Sequence, residues 1–303
     1  MLDAFLSSTI SMAAPLLLAA LGELLVEQSG LINIGIEGVM LTAAFCAMAA
    51  AYATGSIATG LGCAIAGALL MSGLFAVMAV NLAVNQVVAG TALDIFALGV
   101  TGVLYRRIFG ETGKALTVRT LRGVFRGALA RLPLVGPALL QQNGLVYFAF
   151  LMVPVLHLVL YRTRWGLKLR AAGERPEAAD ALGLGVYCLR WQALMISGVM
   201  TGLSGAYLTL GYANTFVEGM SAGRGFIALS IVILGGWRPV RIAIASLLFG
   251  AALALQFVLQ AVNTGLPYQL FLALPYVLTL VVLTILGGQG PVPSALGEPY
   301  VRE

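Results

Sequence analysis

The sequence predicts an all-α, polytopic transmembrane helical bundle of about nine (eight to ten) membrane segments, with a short helix in one polar loop. Three observations predict it. The chain has 303 residues, 60% of them apolar and only 10% charged, with a mean hydropathy of +0.98. Soluble domains are about 45–50% apolar and about 25% charged, so lipid must solvate most of this surface. The apolar stretches are continuous rather than alternating, and a backbone in hydrocarbon must satisfy its own hydrogen bonds, which selects helices over strands.

The apolar segments are 4–22, 36–54, 58–82, 86–105, 144–161, 190–212, 225–237, 242–262 and 269–287. No Lys or Arg precedes the first, so it reads as a membrane helix rather than a cleavable signal. The second opens on "NIGIEG" (Asn33–Gly38), whose Asn and two Gly are poor mid-helix residues; a helix start or break is expected there. The fourth carries Asn85, Gln86, Thr91 and Asp94 near or inside an apolar run. The fifth holds the only histidine, His157, either a packed side chain or a proton relay. In the sixth, Gly198, Gly202 and Ala206 repeat small residues every four positions, as close helix packing requires. The seventh is short for a full crossing and reads as tilted, broken or re-entrant.

Two loops are long. Residues 106–143 carry seven basic residues and one acid; residues 162–190 carry six basic residues and three acids. Segment 144–161 separates them, so they face opposite sides. Arg238 and Arg241 share a side with 162–190 by parity, which favours that loop as cytosolic and 106–143 as extracytoplasmic. If every segment crosses, the N-terminus lies outside; one re-entrant segment before residue 106 would put it inside. The net charge of +5 thus reads as topology information and contact with lipid, not as nucleic-acid binding.

No phosphate-binding GxxxxGK[ST] loop occurs, and "GETGK" (Gly110–Lys114) has the wrong glycine spacing. Cys46, Cys63 and Cys188 are too scattered for a disulfide framework or metal site. No nucleophile–base pair or metal-ligand cluster appears, so an integral-membrane enzyme stays open as a reading but has no visible site.

Loop 162–190 contains "GERPEAADALGLG". Pro176 suits the first helical position, Glu177 and Asp180 suit the positive helix start, and Gly183 suits the stop. Ala178, Ala181 and Leu182 form a small apolar face. Such a helix of about two turns is not stable alone and needs a partner. The protein's own surface, lipid headgroups or another protein could supply one.

The wider stretch "WGLKLRAAGERPEAADALGLGVYCLR" closely resembles the coupling segment of ABC-importer permeases of the branched-chain amino acid, simple-sugar and nucleoside type. That family's Gly-x-x-Pro-x-Ala-Ala-x-x-x-Gly pattern docks on an ATPase and is met here by Gly173, Pro176, Ala178, Ala179 and Gly183, with Glu174 and Glu177 between them. "EQSGLINIGIEGVMLTAAF" (Glu27–Phe45), "NQVVAGTALDIFALG" (Asn85–Gly99) and "GRGFIALSIVILGGWRP" (Gly223–Pro239) are similar to three further family segments; Gln28 stands where a basic residue is more usual. The loop "LPLVGPALLQQNG" fits the nucleoside (BMP-type) branch, and the short N-terminus fits the shorter of its two permeases.

The resemblance implies one permease domain over 1–303 in the cytoplasmic (inner) membrane. It implies a separate ABC ATPase subunit holding ATP and Mg, a second permease subunit (a paralogue or an identical copy) and an extracytoplasmic substrate-binding lipoprotein. Candidate pathway residues are Asn33, Glu37, Asn85, Gln86, Thr91, Asp94 and Phe226. Glu37 either ties a broken helix or lines a path, and Asp94 is equally open. Amides such as Asn85 and Gln86 match sugar hydroxyls, and Phe226 or Trp237 could stack on a base or simply pack. Alternatives are a simple-sugar (ribose- or galactose-type) importer and, in another class, an ion-coupled secondary transporter.

Overall fold

The computed structural model describes residues 2–110, 117–121, 123, 140–261, 268–286 and 292–301. Much of loop 106–143, including Lys114, Arg122, Arg126 and Arg131, lies outside the described residues. The described chain is helical: α1 (Leu2–Gln28), α2 (Ile36–Thr54), α3 (Ile57–Ala76), α4 (Gln86–Phe109), α5 (Gly144–Arg162), α6 (Arg164–Glu174), α7 (Pro176–Ala181), α8 (Val186–Ala206), α9 (Arg224–Leu234), α10 (Pro239–Ala261) and α11 (Tyr268–Leu286). π-helical turns continue α3 through Val77–Asn81 and α8 through Tyr207–Ala213.

Among the described residues, each of the nine apolar segments falls on a helix, with 235–237 turning out of α9. Among the described residues, seven helices are long and apolar enough to cross a membrane: 3–28, 36–54, 57–81, 86–109, 144–162, 186–213 and 239–260. The expected count of about nine is not reached by that measure. Segment seven is α9, whose 11 residues span about 16 Å, half a hydrocarbon core. The chain reaches it through non-helical residues 214–223.

The N-terminal helix α1 is the axis of the bundle. Nearly every residue from Ala13 to Val26 is fully buried, and a helix apolar all round belongs in a core. α8, α9, α10 and α5 pack around it. Pro15 interrupts its ladder, and the Pro15 carbonyl accepts a hydrogen bond from Ser204 Oγ of α8 at 2.7 Å. Gly198 and Gly202 of α8 face Ser72 and Ala68 of α3, so the small residues mark a helix crossing. Gly205 sits against the Met40 carbonyl of α2, where any Cβ would collide with backbone.

α2, α3, α4 and α8 form a second cluster, built on Ala and Leu with Phe75 at its centre. The two ends of the bundle differ. At one end stand Gln28, Trp237, Arg238 and the helices α6 and α7. At the other stand Ser7, Gln142 and Tyr212, with an exposed Arg106–Glu218 ion pair at 2.9 Å. α5, about 28 Å long, connects them. The described parts of 106–143 and 162–190 therefore lie at opposite ends, with Arg238 and Arg241 at the second.

Candidate functional site

Three features could do work: the α6–α7 surface, the loop between α1 and α2, and the start of α9. α6 begins where the Thr163 hydroxyl accepts from Gly166 N–H at 3.1 Å. Its buried residues are Gly166, Leu169, Ala172 and Gly173, a three-and-four spacing. Gly173 lies directly on the end of α1: a Cβ there would strike the Gln28 carbonyl and come within 3.0 Å of Gly30 N. Gly173→Val should therefore destabilise the fold by about 1–3 kcal/mol. The check is a lowered Tm of the detergent-purified protein, and an unchanged Tm would disprove the close seat.

α7 follows a sharp turn at Arg175, with Pro176 as its first residue. It stops at Gly183, whose φ is +80°. Gly183 N–H donates to the Asp180 carbonyl at 2.8 Å, and Leu184 N–H to the Ala179 carbonyl at 3.0 Å. Ala179 alone in α7 is buried. Glu177, Ala178 and Ala181 are exposed, and Leu182 is 83% exposed. The apolar face expected from Ala178, Ala181 and Leu182 exists and points away from the bundle.

Residues 293–301 strap this surface down. Ala295 N–H donates to the Gly173 carbonyl and Gly297 N–H to the Gly30 carbonyl, each at 3.0 Å. Ser294 Oγ donates to Glu174 Oε2 at 2.7 Å, and the Tyr300 hydroxyl to Asp180 Oδ2 at 3.0 Å. Gly173 and Glu174 are thus engaged within the chain, whereas Glu177, Ala178 and Gly183 remain open. Pro176 is half-buried.

The loop 29–35 breaks the path between α1 and α2, turning at Gly30 with φ +88°. It folds back along α1, so that Asn33 N–H meets Glu23 Oε1 at 2.8 Å. α4 holds it from the other side: Gln86 Oε1 accepts from Ile32 N–H at 2.7 Å, and Asp94 Oδ1 from Gly38 N–H at 2.6 Å. Asp94 therefore caps the first turn of α2, whose free N–H groups need an acceptor. Glu37 caps α9 in the same way: Oε1 accepts from Gly223 N–H at 2.7 Å and Oε2 from Gly225 N–H at 2.6 Å.

Four of the seven candidate pathway residues thus sit at one broken-helix seam. Asn33 and Gln86 are buried there, and Glu37 and Asp94 partly so. Asn33 Oδ1, Gln86 Nε2, Asp94 Oδ2 and Glu23 Oε2 are buried without a protein hydrogen-bond partner. The other three are elsewhere on the surface. Exposed Asn85 caps its own helix by accepting from Val87 and Val88 N–H at 3.0 and 3.2 Å. Thr91 is exposed and bonds its own turn at Val87 and Val88; Phe226 is 44% exposed.

Sequence reasoning missed Glu23, Glu27 and Arg190. Glu27 Oε2 accepts from Trp237 Nε1 at 2.5 Å, and Trp237 is buried, so that indole is a packing group. Arg190 is 1% exposed, and its Nε donates to the Ser29 carbonyl at 3.2 Å. Their signal was present: three ionisable groups at the edges of apolar runs, each needing a local partner. His157 is exposed beside Tyr161, ring centroids 5.0 Å apart.

An apolar bundle with a polar broken-helix seam and a small helix exposed at one end is a multi-pass membrane permease in form. The particular family follows from comparison. The chain belongs to the permease components of branched-chain amino acid transport systems, whose model matches residues 5–283. It is 35% identical to TsgC13 of Haloferax volcanii, whose name assigns it provisionally as a glucose ABC transporter permease, covering 98% of this chain and 97% of that one. It is 33% identical to the nucleoside ABC transporter permease NupC of Lactococcus lactis (99% and 98% covered). Identity to the guanosine ABC transporter permease NupQ of Bacillus subtilis is also 33% (99% and 97%). A solved ABC transporter of metal-chelate type, in an inward-facing conformation, shares the fold with a TM-score of 0.55 and 17% identity, over 93% of this chain and 85% of that one. The chain is therefore an ABC transporter permease, a subunit that works with an ATPase and is not itself an enzyme.

Proposed function

We propose that this permease carries nucleosides across the cytoplasmic (inner) membrane in an ATP-driven importer. The observation that carries the coupling half of this reading is the exposed face of α7, with Leu182 open at its end. Ala178, Ala181 and Leu182 are exposed together among polar residues, and apolar patches with a polar rim mark contact surfaces. On this reading the α6–α7 end is cytosolic and docks the ATPase, which holds ATP and Mg, while 106–143 is extracytoplasmic. A second permease subunit, a paralogue or a second copy, completes the pathway, and a substrate-binding lipoprotein delivers solute.

Kinship over nearly full length with NupC and NupQ supports the nucleoside. Asn85, Thr91 and Phe226 have open side chains and are the candidates to meet it. A glucose reading rests on TsgC13 at 35% identity. Uptake of labelled guanosine into cells expressing the complete transporter, with unlabelled glucose or adenosine as competitor, separates the two. Adenosine should compete and glucose should not; competition by glucose alone would replace the nucleoside with a hexose.

A further inference from the structure

A cavity of about 660 Å³ opens at the α6–α7 end of the bundle, and none of the pathway candidates lines it. Its walls carry the guanidinium groups of Arg170, Arg238 and Arg241 and one carboxylate, Glu174. Glu174 already accepts from Ser294. Among the described residues, none of the three arginines lies within 4.0 Å of a carboxylate. Arg170 Nε is buried with no acceptor, and its guanidinium lies 5.0 Å above the Tyr161 ring, which orients the fork. Arg238 immediately precedes α10 and Arg241 lies in its first turn, and both line the cavity. That turn also presents the positive end of a 23-residue helix.

Three unpaired guanidinium groups round one cavity call for an anion with several oxygens, and phosphate matches the planar fork. The surroundings favour a lipid as its carrier. Val240 (51% exposed) lines the cavity, and away from the end of the bundle α5 and α10 present Leu158 (56%) and Ile244 (64%), a surface for acyl chains. Tyr161, 37% exposed, stands beside the arginines, as aromatic residues do at headgroup depth. We propose that this cavity binds a phosphate oxyanion, carried by the headgroup of an anionic phospholipid.

The test uses the full chain within its transporter complex, delipidated in detergent and titrated with phosphatidylglycerol, phosphatidylcholine or inorganic phosphate. Native mass spectrometry counts retained lipid, and thermal shift reports bound phosphate. Wild type should retain phosphatidylglycerol over phosphatidylcholine, and Arg238→Gln/Arg241→Gln should lose about thirtyfold of that preference. Arg241→Gln alone, at an exposed position, should lose part of it and guards against a misfolded double variant. Arg107→Gln, at the other end, should change nothing. Stabilisation by inorganic phosphate that the double variant lacks, without lipid retention, would keep the phosphate site and make its source soluble. Equal retention and equal shifts in wild type and both variants would overturn the proposal. So would unchanged lipid retention with loss of the ATPase, which would make the arginines a protein contact.

Discussion

Leu182→Glu should abolish uptake while the protein remains folded in the membrane at normal level. Leu182 is 83% exposed, so the fold loses almost nothing when it changes, within about 0.5 kcal/mol for such a site. In the proposed docked complex the same side chain would be buried, a contribution of about 1.5–3 kcal/mol. A buried carboxylate in its place adds a desolvation cost of several kcal/mol. The sum exceeds about 3 kcal/mol, or more than a hundredfold in affinity for the ATPase. Co-purification of the ATPase and uptake should fall together. Glu177→Arg, also exposed and in the first turn of α7, should act in the same direction more weakly, because it opposes the helix start by about 0.3–1 kcal/mol. Normal uptake by both variants would remove α7 as the docking element. Ala179 is the wrong probe despite its central place in the motif. It is buried under α7, and a larger side chain there would dislodge the helix rather than its partner.

Glu37→Ala should collapse the protein instead. The Glu37 carboxylate takes both Gly223 and Gly225 N–H groups at the start of α9. Hydrogen bonds to a charged group contribute about 1.5–3 kcal/mol each, so losing two removes roughly 3–6 kcal/mol. A total stability of about 5–15 kcal/mol does not absorb that without loss of folded protein. The level of membrane-embedded protein and its Tm should both drop sharply. Glu37→Gln should fall between, since its amide offers one acceptor where two donors converge. A normal level and Tm for Glu37→Ala would show that α9 is held by its packing alone.

The lipid solvent made the helices legible. A backbone in hydrocarbon has few choices, and among the described residues each apolar segment falls on a helix. The misses have local causes. The apolar run of segment one stops at residue 22, but α1 continues to Gln28 and carries Glu23 and Glu27 inside the helix. Their partners, Asn33 and Trp237, lie outside that window, Trp237 more than 200 positions along the chain. α6 was folded into a loop, although Gly166, Leu169, Ala172 and Gly173 carry its period. The seam residues were found but their task was not. Asp94 meets Gly38 at a separation of 56 residues, and Glu37 meets Gly225 at 188. Single-sequence periodicity holds no information at that range. The strap has no periodicity, since two of its bonds run from backbone to backbone and the others use single side chains, Ser294 and Tyr300, on irregular chain.

That strap orders events during synthesis. Residues 293–301 are synthesised after α1 to α11, yet they close the hydrogen bonds of Gly173, Glu174 and Asp180. The surface built on α6 and α7 is complete only once α11 has been inserted. If α7 is the docking element, as proposed, a half-made chain offers an ATPase an unfinished seat, and recruitment should follow insertion of α11.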